Sequence, residues 1–349
     1  MVAVTTPTTQ SETLVVLIPV YNDWVAVEAL LKLLDTAFQE SQRPNNLHVL
    51  LIDDGSTHPP TPSLRQAPYS AIDRVDILHL RRNLGHQRAI ACGLCHVEEH
   101  IPCYAVVVMD GDGEDVPTDV LQLLNRYDEF AGEKVIFAER ARRTESFLFR
   151  LFYMFYKAVH LLLTGQRVKV GNFSVLPRTL LTRMVVVSDL WNHYSAAIFK
   201  ARLPIDMIPI ARGYRLDGKS HMNFVSLVVH GLSAMSVYGD RIGVRLLFTA
   251  AVGILMVLVF LAITLIMRFG MGVGIPQWAL LTLAVTLIML PQFLMLALIF
   301  VFLILSGRDS SSFLPIRDYV FFVQKLHTLY EPQRVEIPTG SRVEEFSKG

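Results

Sequence analysis

From residue 13 to about residue 222, short apolar runs alternate with helical patterns. Residues 14–19, 47–52, 75–80, 104–109 and 134–138 read as strands. The stretches after Asp23, after His86, after Pro117 and across 146–163 read as helices. Near-continuous apolar strands alternating with helices predict an α/β domain with a mostly parallel sheet. Such sheets bind ligands beyond the carboxyl ends of their strands. Polar clusters fall at those ends: Tyr21, Asn22 and Asp23; Asp53, Asp54, Gly55 and Ser56; and the run 110–115 with Asp110, Asp112, Glu114 and Asp115.

The pattern then changes. Residues 223–238 mix Phe224, Val225, Leu227, Val228, Leu232 and Met235 with Ser, His and Gly, as a helix lying at a bilayer surface or packing on the domain would. From 246 to 307 the only charge is Arg268, which separates uncharged runs of 22 and 39 residues. At 1.5 Å per residue the first run is about 33 Å long, against about 30 Å of hydrocarbon. Two spans are expected, 246–267 and about 278–306, joined by a link with Gly270, Gly272, Gly274 and Pro276. The expected division is a polar tail to residue 12, a catalytic domain at 13–222, a juxtamembrane segment at 223–244, spans within 245–307 and a tail at 308–349, loose after Pro332. Arg241 and Arg245 precede the spans, and Arg308, Arg317 and Lys325 follow them. This bias predicts a two-span integral membrane protein with the domain and both termini in the cytosol.

Composition narrows the function. Hydrophobic residues make up 52% and charged residues 18%, and mean hydropathy is +0.40, too apolar for a plain soluble globule or a disordered chain. With 32 Lys and Arg against 31 Asp and Glu, no basic field points to nucleic acid. Three cysteines exclude a disulfide scaffold. Cys92, Cys95 and His96 match the haem-attachment spacing, and His100 and Cys103 lie nearby. The segment carries no export signal and reads as a helix packed on the sheet through small residues, so haem and zinc are discounted.

Asp110 and Asp112 follow a strand at i, i+2 spacing, which in extended chain sends both carboxylates one way. Such a pair suits a hard divalent cation, Mg²⁺ or Mn²⁺; a surface turn is the alternative. The missing acid at the loop's end argues against an EF-hand. Asp53 can accept hydrogen bonds from a ribose or base edge, or form an Asx turn. Arg212 and Arg215, with Gly213, Gly218, Lys219 and Ser220, form a basic loop fit for phosphate or for anionic headgroups.

The ordered set resembles membrane-anchored family-two glycosyltransferases, of the dolichol-phosphate mannose synthase and bacterial polyprenyl-phosphate kind. It comprises residues 18–23, 53–56, Arg82-Asn83-Leu84-Gly85, 109–112, Gly171-Asn172-Phe173 and 215–220. The resemblance implies a GT-A fold, a nucleotide-sugar donor, a polyprenyl-phosphate acceptor and a divalent metal. It places the nucleoside by Pro19, Tyr21, Asp23 and Asp53, and metal and diphosphate at Asp110, Asp112 and Glu114. Arg140 would lie on the donor side, with Arg215 and Ser220 closing over phosphate. Three positions depart from the pattern: Asp23 for Glu, His221 for Lys, and Asn172 for Asp. Asn cannot serve as a general base.

An ionised lipid phosphate needs no base; a hydroxyl acceptor would, and Asp189 is the candidate, with a helix N-cap as its alternative role. Direct displacement would invert the anomeric centre. Transfer to another lipid-linked or saccharide hydroxyl is the competing reading. The Gln-x-x-Arg-Trp signature of processive synthases is missing from the sequence. A non-catalytic transporter partner would have lost the acids at 110 and 112. A homo-oligomer is compatible with this layout.

Overall fold

The computed structural model describes residues 12–41, 43, 46–65, 68–140, 147–165, 170–217, 224–272, 274, 276–309 and 313–332. In chain order β1 (Thr13–Val20), α1 (Trp24–Ser41), β2 (Asn46–Asp53), β3 (Ile72–Leu80), α2 (His86–His100), β4 (Ala105–Val108), α3 (Pro117–Glu129) and β5 (Val135–Arg140) form the first half of the domain. Next come α4 (Phe147–Thr164), β6 (Val170–Pro177), α5 (Arg178–Met184), α6 (Tyr194–Lys200) and β7 (Ile205–Ile210).

The strands lie in the order β7-β5-β6-β4-β1-β2-β3-β8, where β8 is Val323–Tyr330. The pairs β1–β2, β1–β4, β2–β3 and β5–β7 are parallel; β6 runs against β4 and β5, and β8 runs against β3. The apolar runs of β1 and β2 are long because both faces are covered. Val15 and Leu17 point to the layer of α2, and Leu14, Val16 and Ile18 to the layer of α1 and α3. Cys92 and Cys95 lie fully buried in the α2 layer as free thiols, pushed up by burial to about 12 in the case of Cys92. They pack against the sheet as expected of small apolar residues.

After the domain, α7 (Phe224–Ser236) leads into α8 (Gly239–Leu265), which a π turn at Ile266–Gly270 prolongs, and then α9 (Gln277–Asp309), with Pro291 in its interior. Two stretches, Gly239–Gly270 and Gln277–Leu303, are long and apolar enough to cross a membrane. Phe248, Leu255, Met256, Leu281, Leu296 and Leu303 stand exposed along them. Exposed apolar surface of this extent suits a hydrocarbon solvent. Arg245 of α8 donates through Nη1 to the carbonyls of Leu161 (3.3 Å) and Leu162 (2.5 Å), capping the end of α4. This anchors the first span to the domain.

The tail expected at 308–349 is corrected in part. Residues 323–330 are not a tail but the edge strand β8, and α10 (Pro315–Asp318) packs Tyr319 against α2. The loose segment expected after Pro332 lies outside the described residues.

Candidate active site

β1 ends at Val20, and the chain reverses through Asn22, whose φ of 61° is a left-handed value that Asn tolerates. Asn22 Oδ1 accepts the N–H groups of Thr57 (2.9 Å) and His58 (3.1 Å), and its own N–H donates to Ser56 Oγ (2.9 Å). The loops after β1 and β2 are therefore one unit. Tyr21 is exposed, Pro19 is buried in β1, and Asp23 opens α1, its carbonyl accepting the Val27 N–H at 3.0 Å. At the end of β2, Asp53 Oδ1 accepts the Ser56 N–H (2.8 Å) and Oδ2 the Nδ1–H of His79 (2.7 Å). Burial raises the Asp53 carboxyl, but His79 and Ser56 outweigh it and hold it below its ordinary range. Its neighbour Asp54 grips the amides of Leu84 (2.6 Å) and Gly85 (2.9 Å), fixing the Arg82–Gly85 turn against the same edge.

The acidic loop follows β4. The extended-chain argument for Asp110 and Asp112 does not hold, because the chain turns at 111–112 and Gly113 takes φ 85°. Gly111 lies against β1: a β-carbon there would stand 3.1 Å from Ile18 Cγ2 and 3.4 Å from the Pro19 carbonyl. This sets the loop beside the Pro19–Asp23 turn. The Asp110 N–H donates to Asp115 Oδ2 (2.9 Å), and the Asp110 Oδ1 lies 3.2 Å from His86 Nε2. Asp112 Oδ1 accepts the Glu114 N–H (3.0 Å), and Oδ2 faces Arg215 Nη2 at 2.7 Å.

The segment after β7 folds across this loop. The Gly213 N–H donates to the Glu114 carbonyl and the Leu216 N–H to the Asp112 carbonyl, both at 2.9 Å. Arg212 pairs with Glu114 as Arg215 pairs with Asp112. The two arginines and two acids form a latch over the sheet's carboxyl edge.

Opposite Asp110, a polar chain orients Asn172. The Tyr194 N–H donates to Gln87 Oε1 (2.7 Å), so Gln87 turns its Nε2 to Asn172 Oδ1 (3.3 Å), and Asn172 presents Nδ2 to His86 Nε2 (3.0 Å). One imidazole nitrogen cannot donate to Asp110 and accept from Asn172 at once. His86 thus has two settings, an Nε2–H that donates to Asp110 or a bare Nε2 that accepts from Asn172. Burial pulls its pKa down, but Asp110, Asp115 and Asp54 together raise it above the ordinary histidine value.

The structure brings Pro19, Tyr21, Asp23, Asp53, Asp110, Asp112, Glu114 and Arg215 to one edge of the sheet. Arg140 ends β5 opposite Ile210, with its side chain outside the described residues; Ser220, Lys219 and His221 lie outside them as well. Asp189 sits in a short 3-10 turn with its carboxylate 2.9 Å from Lys200 Nζ, so its charge is already balanced. Among the described residues no group of three or more His, Cys, Asp or Glu side chains is placed to hold a metal ion. Glu114 in particular faces Arg212 beside Ala138, Phe173 and Ile210, not a shared ligand point with Asp110 and Asp112. Sequence reasoning missed His79 and His86. Each meets the site through a fold contact; His86 had a signal in following the Arg82–Gly85 motif directly, and His79 had none.

Residues 15–185 match the model of Glycosyl transferase family 2. Among relatives, an undecaprenyl-phosphate 4-deoxy-4-formamido-L-arabinose transferase of Klebsiella pneumoniae (strain 342) is 27% identical over 282 residues, 76% of this chain and 78% of that protein. An uncharacterized glycosyltransferase of Bacillus subtilis (strain 168), YkcC, is 29% identical over 177 residues; the match takes in 48% of this chain and only 50% of that protein's length. Among solved structures, glucosyl-3-phosphoglycerate synthase from Mycobacterium tuberculosis, in complex with Mn²⁺, UDP-glucose and phosphoglyceric acid, aligns over 66% of this chain and 80% of its own. That alignment has a TM-score of 0.47 and 15% identity. The stretch that matches glycosyl transferase family 2 is thus built on a mostly parallel sheet and is followed by two apolar helices of membrane length.

Proposed function

We propose that the protein transfers a sugar from a nucleotide-sugar to a polyprenyl phosphate at the cytosolic face of a membrane, with inversion at the anomeric carbon. The observation that carries this reading is the acid–arginine latch at the sheet's carboxyl edge, where Asp112 meets Arg215 and Glu114 meets Arg212. The name of the Klebsiella relative, which specifies undecaprenyl phosphate, supports the acceptor class.

Asp110 and Asp112 are hard oxygen donors that face His86 and Arg215, and this suits a divalent cation that shares its remaining ligands with phosphate. Those two residues would hold Mg²⁺ or Mn²⁺, which when bound neutralises charge on the departing diphosphate. Glu114 does not fit as a third ligand. The turn at Pro19–Asp23 and the Asp53 carboxylate would seat the nucleoside. Arg215, on a loop held by backbone bonds to the acidic turn, is placed to add positive charge where the leaving group forms. Asn172 is a fixed amide and Asp189 is engaged by Lys200, so neither predicted carboxylate position offers a ready base. A lipid phosphate is ionised at neutral pH and needs none. This favours it over a hydroxyl acceptor.

The test uses the full chain in detergent with labelled UDP-, GDP- and dTDP-sugars, Mg²⁺ or Mn²⁺, and polyprenyl phosphate. A labelled lipid is expected from the wild type. It should be lost on chelation and fall about 10²- to 10³-fold in Asp112→Ala. Product only with a hydroxyl acceptor, or undiminished product in Asp112→Ala, would refute the reading.

A further inference from the structure

His79 lies in β3, directly opposite Asp53 of β2 in the parallel register. Its Nδ1 is 2.7 Å from Asp53 Oδ2, and a carboxylate only accepts, so Nδ1 carries the proton. The other oxygen is held by the Ser56 N–H. With both oxygens fixed the carboxyl plane cannot rotate, yet each oxygen retains a second lone-pair direction for a ligand.

The imidazole is itself backed by the segment that follows the membrane helices. His79 stands opposite Lys325 of β8, and the His327 ring is 6.4 Å away. Just beyond, the Arg81 N–H donates to the Phe322 carbonyl (2.8 Å) and Arg81 Nε to the Val323 carbonyl (3.0 Å). The end of β3 is thereby held from its outer side by residues 322–327.

We propose that His79 is a positioning residue for the donor: it holds the Asp53 carboxylate in the orientation that accepts hydrogen bonds from the nucleoside, and β8 keeps the imidazole in place. This rests on the proposed donor reading of Asp53, and it extends the donor site to a strand that follows both apolar helices in sequence. His79 does not touch the reacting atoms, so its effect belongs to donor binding and not to the chemical step.

Two amide substitutions separate positioning from mere filling of space. The Asn amide nitrogen falls where Nδ1 lies, whereas the Gln amide nitrogen falls where Nε2 lies. His79→Asn should bind the donor within about twofold of wild type. His79→Gln should weaken it about tenfold, with kcat within about twofold, as expected when a charge-assisted hydrogen bond is lost. The measurements are calorimetric binding of UDP, GDP and dTDP to the full-length protein in detergent, and donor KM and kcat where transfer is seen. In an Asp53→Ala background His79→Gln should add nothing, since the group it orients is gone. Equal affinity of the Gln and wild-type proteins, or equal loss in Asn and Gln, would overturn the assignment. Nucleotide binding that follows this pattern without transfer to polyprenyl phosphate would sink the acceptor reading and leave His79's role standing. If the wild type binds none of the three nucleotides, the assignment falls together with the donor reading.

Discussion

A β-carbon placed on Gly113 would lie 2.3 Å from Leu216 Cγ, at a backbone φ of +85°. The acidic turn and the arginine segment thus meet at a point that only glycine allows. Gly113→Ala should pry the latch apart and lower transfer by at least about tenfold, since small misplacements of a charge-stabilising group are costly. Because Leu216 is partly exposed, adding Leu216→Ala should relieve the clash and restore part of the rate, leaving the backbone strain of about 1–2 kcal/mol. Transfer rates of the single and double variants check this. At this scale the sequence displayed the acids: Asp53, Asp110 and Asp112 stand at strand ends next to turn residues, where chemistry concentrates. Their partners were hidden. His79 reaches Asp53 across 26 positions and Arg215 reaches Asp112 across 103, and no local spacing encodes such a meeting. The i, i+2 argument failed for a physical reason, because Gly111 and Gly113 let the chain turn where an extended path was assumed.

Among the elements, β3 and its outer neighbour β8 carry a pH dependence. Asp76 is almost fully buried between them; burial raises its carboxyl, but His48, Thr328 and Arg74 outweigh this and pull it down to about 2 from 3.8. A lowered native pKa stabilises the folded state above the unfolded value and ceases to do so as pH falls through the native one. The contribution, about 2 kcal/mol from a shift of nearly two units, should be complete above pH 4 and vanish toward pH 2. Thermal unfolding of the detergent-solubilised protein from pH 5 to pH 2.5 should show a steeper fall for wild type than for Asp76→Asn. Strands β1, β2 and β4 were readable because each is a nearly unbroken apolar run covered on both faces, and α1 to α4 because their periodicity is helical. β6 carries Gly171 and Asn172 near its start, β7 contains Asp206 and Pro209, and β8 carries Lys325 and His327. Polar residues of this kind suit sheet edges and site walls, and they blur the strand signal.

For the whole molecule, β8 constrains topology. It belongs to the same sheet as β1 to β7 but follows both apolar helices, so the chain before α8 and the chain after α9 lie on one side of any membrane the helices cross. The native cysteines are all buried, which leaves a low background for labelling. In intact cells an impermeant maleimide should treat Glu40→Cys and Gln324→Cys alike and should react oppositely with Met271→Cys in the link. Matching reactivity at all three would contradict a two-span hairpin. The number of spans and their link were evident from the charge-free runs, whereas the return of the chain to the sheet was not, since pairing between β3 and β8 spans some 250 residues. That return also orders events during biosynthesis. A chain still emerging from the ribosome can assemble β1 to β7, but the outer edge of β3 stays open until the hairpin has been made and residues 323–330 follow. The imidazole behind Asp53 gains its backing last, so the newborn protein completes this corner of the sheet only after both apolar helices have been synthesised.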